Sequence, residues 1–153
     1  MIANARSFPL FLSMLLLAAT ELCGNGDEPP KGLPTDADYR RLVVGTWQDE
    51  YQGKRTMTVR PDGTATMVVE LHGWKATLYA SRLQFEMIWS ISDGRLKKRT
   101  TGGEPSGKVK AILTMMGDRV DEKILELTQD RLLLLDQNGK RKYEWRRVKS
   151  AGL

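Results

Sequence analysis

Beyond Asp36 the chain is divided by glycine-containing turns: Pro61-Asp62-Gly63, Asp93-Gly94 and Asn138-Gly139. Proline presets φ, Asp and Asn side chains bond their own backbone, and glycine accepts positive φ, so each signal reverses the chain, with Asn138-Gly139 expected to do so as a type I′ hairpin turn. Between the turns, apolar residues recur at every second position. Leu83, Phe85, Met87, Trp89 and Ile91 share one face of a single run, which is the period of a strand with one side buried. A sequence of this kind must find a shared interior for many short, hairpin-linked strands.

A strand is expected over 43–51, a second around Met57 and Val59, and a third carrying Ala65, Met67, Val69 and Leu71 on one face. The 83–91 run and a strand over 95–101 flank the Asp93-Gly94 turn. Further strands are expected over 120–128, 131–136 and 140–148, the last with Tyr143, Trp145 and Arg147 on one face. Val109, Ile112, Leu113 and Met116 recur at helical spacing, so a short amphipathic helix is expected over 107–116, capped by Ser106 and ended by Gly117. Residues 36–42 fit a short helix capped by Thr35 or Asp36, and 74–82 fits either helix or strand. The expected fold is mainly all-β: a small up-and-down antiparallel barrel of about eight or nine strands, with the 107–116 helix plugging one end. Closure removes exposed strand edges.

Near the N-terminus, Arg6 precedes an apolar run from Phe8 to Ala19. Its length of about a dozen residues suits the apolar core of a signal peptide and is short for a membrane span. A polar segment rich in Gly and Pro follows, from Gly24 to Pro34, and reads as a linker. The expected organisation is a signal peptide over 1–23, a flexible linker over 24–35 and the barrel over 36–150. Cys23 sits at the junction and is a candidate lipidation site, although Leu22 is not the small residue that a lipoprotein signal places before its cysteine. Ordinary cleavage near Ala19 or after Gly26 is the alternative. Either route gives an exported protein, in the periplasm, the cell envelope or outside the cell.

Lys and Arg number 24 against 19 Asp and Glu, a net charge of +5. That mild excess does not call for a nucleic-acid partner. A single His (His72) and a single Cys cannot by themselves build a zinc site or a disulfide. There is no P-loop, no GxSxG and no metal-ligand spacing. Nothing in the positions of Glu70, Glu86 and Asp121 marks an acid–base pair, and His72 beside Gly73 reads as a strand-end residue. No catalytic residue, metal or cofactor is expected.

Gly45-Thr46-Trp47 on the first strand and Arg147 in Tyr143-Glu144-Trp145-Arg146-Arg147 on the last resemble the signature of lipocalin and calycin barrels. Over Leu42 to Val148 the chain is most similar to small bacterial lipocalin-like domain proteins. The resemblance implies that Trp47 closes the base of the barrel and that Arg147 stacks across it, with Gly45 allowing the backbone to bend. A guanidinium over an indole contributes about 0.5–2 kcal/mol. The chain departs from full-length lipocalins in its short domain, in lacking a Thr-Asp-Tyr motif and a disulfide, and in placing its helix before the last strands. These departures bear on how large a cavity it can enclose.

Met57, Met67, Phe85, Met87 and Trp89 are the candidate ligand-lining residues, since methionine suits adaptable pockets. The alternative is that they fill the core, as in most small barrels. Two basic clusters, Arg95, Lys97, Lys98 and Arg99, and Lys140, Arg141, Lys142, Arg146 and Lys149, read as solvated faces that protect strand edges; the alternative for the second is a site for phosphate-rich lipid or another polyanion. The expected function is an exported, non-enzymatic barrel that holds a small apolar or amphipathic ligand. The alternative is a structural or interaction protein of the cell envelope with a filled barrel. The partner is then a small apolar ligand or an envelope component, and membrane contact is expected only through a lipid on Cys23.

Overall fold

Each alternating run forms a strand, and eight strands close on themselves in chain order. They are β1 (Gly45–Asp49), β2 (Lys54–Val59), β3 (Thr64–Glu70), β4 (Arg82–Ser92), β5 (Arg95–Glu104), β6 (Arg119–Leu127), β7 (Arg131–Leu135) and β8 (Lys142–Arg147). All neighbours are antiparallel, and β8 returns to β1 through Trp47 opposite Arg147 and Gln48 opposite Arg146. The structure is a computed structural model that describes residues 32–149. The expected leader over 1–23, Cys23 and most of the 24–35 linker lie outside the described residues.

Register sets what fills the barrel. Trp47 faces Met57, Met57 faces Met67, and Met67 faces Phe85, a row that crosses four strands. A second row runs through Val59, Ala65 and Met87. Strands of a closed barrel are tilted, so the first row climbs from one end of the barrel at Trp47 to the other at Phe85. Trp47, Met57, Leu96, Leu132, Leu134 and Trp145 are fully buried. The alternate positions, among them Thr56, Thr58, Thr66, Gln84, Glu86 and Ser90, point outward from the same strands. This polarity is the reverse of a membrane-spanning barrel, whose outer band is apolar.

Three helices complete the described residues: α1 (Asp36–Val43), α2 (Trp74–Leu78) and α3 (Ser106–Met116). Helix α1 starts with a capping box, in which the Thr35 hydroxyl accepts from the Asp38 amide and the Asp38 carboxylate accepts from the Thr35 amide. Its Asp36 carboxylate accepts from the amides of Asp93 and Gly94. That strap holds α1 to the β4–β5 hairpin, where both turn residues have the positive φ of a type I′ turn.

Several expectations are corrected. The first strand is shorter than 43–51, because Val43 closes α1 and Val44 is the extended residue that follows it. The ambiguous 74–82 segment resolves as the short helix α2 leading into β4. Pro105, not Ser106, holds the position before α3, and no side chain caps that end. Helix α3 packs against β5 and β4 with Val109 buried, and its Ile112, Met115 and Met116 border the barrel end that holds the cavity. Asn138-Gly139 does not form a type I′ turn, which needs positive φ at both residues, and only Gly139 has it. Asp136 organises this loop instead, its carboxylate accepting from the Lys140 amide and its carbonyl from the Gly139 amide.

Candidate ligand-binding mouth

The two barrel ends differ chemically. One is sealed. The Trp47 indole is fully buried, and its N–H donates to the Val43 carbonyl at 2.8 Å. The Arg147 guanidinium lies over it, 4.1 Å from the ring centre. The same guanidinium donates to the carbonyls of Leu42 at 2.5 Å, Val44 at 2.8 Å and Gln129. One cation therefore ties the end of α1, the entry to β1 and the β6–β7 turn over a single ring. Gly45, at φ +140, lies where a Cβ would strike this guanidinium.

The opposite end opens into a cavity of about 350 Å³, within the range of small-molecule sites. Met67 and Val69 of β3, Leu71 just after it, and Leu83 and Phe85 of β4 form its walls, and Trp74 of α2, Tyr79 just after it, and Ile112, Met115 and Met116 of α3 form its rim. The polar groups at the opening are Tyr51, Gln52, Arg55 and Lys75. None of the residues lining this cavity is a carboxylate or a histidine.

Arg55 is held in place by its neighbours. It makes a two-pronged ion pair with Asp49, whose side chain is buried. Its guanidinium lies 4.7 Å from the Trp145 ring, 5.1 Å from Tyr51 and 5.2 Å from Tyr143. Tyr51 and Tyr143 meet edge-to-face at 5.2 Å. A cation fixed this way gives the mouth an oriented donor group beside Tyr51, Gln52 and Lys75. Lower in the barrel a second ion pair is buried: Lys98 Nζ stands 2.8 Å from Glu122 Oε2. Asp49, Arg55, Lys98 and Glu122 thus face inward in two pairs, in addition to Arg147 over Trp47.

The structure divides the candidate ligand-lining residues. Met67 and Phe85 line the cavity. Met57 and Met87 are buried in the core beneath it. The N–H of the Trp89 ring donates to the carbonyls of Arg60 at 3.0 Å and Thr64 at 3.1 Å, so this ring clamps the β2–β3 turn at the sealed end. Of the first basic cluster, Lys98 belongs to the interior and not to a solvated face; it alternates with the outward Lys97 and Arg99. Arg95 pairs with Asp121 on the outer surface at 2.5 Å, and Glu86 accepts from Gln84 and Thr66 there.

Sequence reasoning did not single out Asp49, Arg55, Glu122 or the rim of α2 and α3. Parity along the strands marks the first three as inward, since Arg55 is two residues before Met57, Asp49 two after Trp47, and Glu122 two before Ile124. Their charge argued the other way, and their partners lie on neighbouring strands. No signal of that kind marks α2.

No family model matches the chain, and no curated protein matches it. Among solved structures it is similar to a lipocalin-like protein from Bacteroides uniformis, at 13% identity and a TM-score of 0.49, over 69% of this chain and 98% of that one. It is also similar to an uncharacterized protein from Bacteroides eggerthii, at 19% identity and a TM-score of 0.46, again over 69% of this chain and 98% of that one.

Proposed function

We propose that this lipocalin-like barrel is an exported, non-enzymatic protein that binds a small apolar or amphipathic ligand at its open end. The observation that supports the reading is the apolar cavity of about 350 Å³ over a filled, sealed base. An apolar chain would enter between the rim helices and meet Met67, Val69, Leu83 and Phe85. A polar head would remain near Arg55, Lys75 and Tyr51. Arg55 is already neutralised by Asp49, so it favours orientation of a polar group over capture of a strongly charged one. Export is supported by Arg6 and the apolar run from Phe8 to Ala19, with Cys23 as the proposed lipid-bearing residue.

The envelope-interaction reading keeps one observation in its favour: most of the barrel is filled by side chains, including Trp47, Met57, Leu132 and Trp145. Native mass spectrometry of the protein incubated with an envelope lipid extract separates the two. Retention of a single small species supports ligand binding. An unliganded mass throughout, with no thermal shift from any extract fraction, supports the filled barrel.

A further inference from the structure

The rim of the mouth exposes more apolar surface than the cavity needs. Trp74 is 70% exposed, Leu78 55%, Met115 78% and Met116 81%. These side chains come together because α2 and α3 meet at the opening, where Lys108 Nζ donates to the Leu78 carbonyl at 3.0 Å. The helices themselves read Trp-Lys-Ala-Thr-Leu and Ser-Gly-Lys-Val-Lys-Ala-Ile-Leu-Thr-Met-Met. They carry Lys75, Lys108 and Lys110 and no acidic residue. Lys110 lies in the groove beside Thr101 and Gly103, whereas Lys75 and Lys108 stand with the apolar side chains at the opening. An aromatic ring, flexible thioethers and lysines placed together suit the boundary between acyl chains and anionic headgroups.

We infer that the α2–α3 rim docks on an anionic lipid bilayer, with Trp74, Leu78, Met115 and Met116 entering the headgroup boundary and Lys75 and Lys108 facing the phosphates. The surface goes beyond cavity binding and is separable from it, because Leu78 and Lys108 do not line the cavity. It also provides a membrane contact other than a lipid on Cys23. Docking in this orientation brings the open end of the barrel against the bilayer, so an amphiphile could pass between them without crossing water.

Trp74 is a built-in reporter, since Trp47, Trp89 and Trp145 are buried. The test uses the full chain with phosphatidylglycerol vesicles, phosphatidylcholine vesicles, and phosphatidylglycerol vesicles carrying brominated acyl chains. The expected result is co-flotation with phosphatidylglycerol, a blue shift of tryptophan emission and quenching by the brominated chains. Binding should fall about fivefold in K108E and further with added salt, while cavity occupancy by a soluble probe is retained. Vesicle binding without quenching, or binding that K108E leaves unchanged, would place the contact in another part of the chain and overturn the inference. So would an emission already blue-shifted without vesicles in a protein that sediments as a dimer, which assigns the rim to a second copy.

Discussion

Arg147 and Trp47 face each other across the seam of the barrel, paired in register and stacked with the guanidinium 4.1 Å from the indole centre. The seam between β1 and β8 is the narrowest join in the sheet, with two paired positions. The ring fills the base and the cation fixes the elements around it. Trp47→Ala is expected to cost about 3–5 kcal/mol, the range for large aromatic truncations. Arg147→Met is expected to cost about 2–3 kcal/mol, because three carbonyls lose a charged donor. Urea unfolding measures both, and α1 should also lose hydrogen-exchange protection in Arg147→Met. Parent-like unfolding of Trp47→Ala would show that the ring does not hold the base together.

Gly45 is the hinge of that arrangement. Its φ of +140 disfavours any side chain, and a Cβ there meets the Arg147 guanidinium. Gly45→Ala should therefore cost about 1–3 kcal/mol and shift the guanidinium off the ring. In the Arg147→Met background the loss should shrink, since the steric partner has gone. An equal loss in both backgrounds would assign the whole effect to the backbone.

The buried Lys98–Glu122 pair separates the effect of single changes from that of the double change. Lys98→Met or Glu122→Leu alone leaves one charge buried without its partner, at about 3 kcal/mol or more. The double variant should lie within about 1 kcal/mol of the parent, because apolar replacement of a buried pair is often neutral. Losses that simply add would mean that the two residues are not coupled.

The barrel was legible because its rule is local. Period-two alternation places Met57, Met67, Phe85 and Trp145 inward without knowledge of any partner, and Asp93-Gly94 fixes its turn by backbone preference alone. Features that depend on another strand were not legible. Lys98 reads as one of four basic residues on a solvated strand until Glu122, on the next strand, is placed beside it. Asn138-Gly139 lost its expected turn to the carboxylate of Asp136. Met57, Met87 and Trp89 share parity with Met67 and Phe85, and parity does not report height along the barrel axis. Whether an inward residue lines the cavity or lies beneath it depends on strand tilt and on where α2 and α3 stand.

Stability should fall in acid through surface carboxylates. The Thr35 hydroxyl and amide hold the Asp38 carboxyl below its ordinary value, those of Thr64 do the same for Asp62, and Arg131 lowers Glu144. A group whose pKa drops on folding stabilises above its unfolded value, about 4 for these acids, and loses that contribution as pH falls through the folded value. The thermal midpoint should be insensitive to these groups near neutrality and decline below about pH 4. Asp38→Asn should differ from the parent at pH 6 and converge with it by about pH 2. A difference that persists in acid would mean that Asp38 acts through packing and not through its charge.

The central claim is that the open end of this barrel takes an apolar ligand into the space walled by Met67 and Phe85. A titration of the full chain with a fluorescent long-chain fatty acid, beside the cavity-filling variant Met67→Trp, tests it directly. The account predicts saturable one-to-one binding by the parent, and binding weakened about tenfold or more, some 1.4 kcal/mol, in a variant that still unfolds cooperatively. No saturable binding by the parent, or equal binding by Met67→Trp, would contradict it.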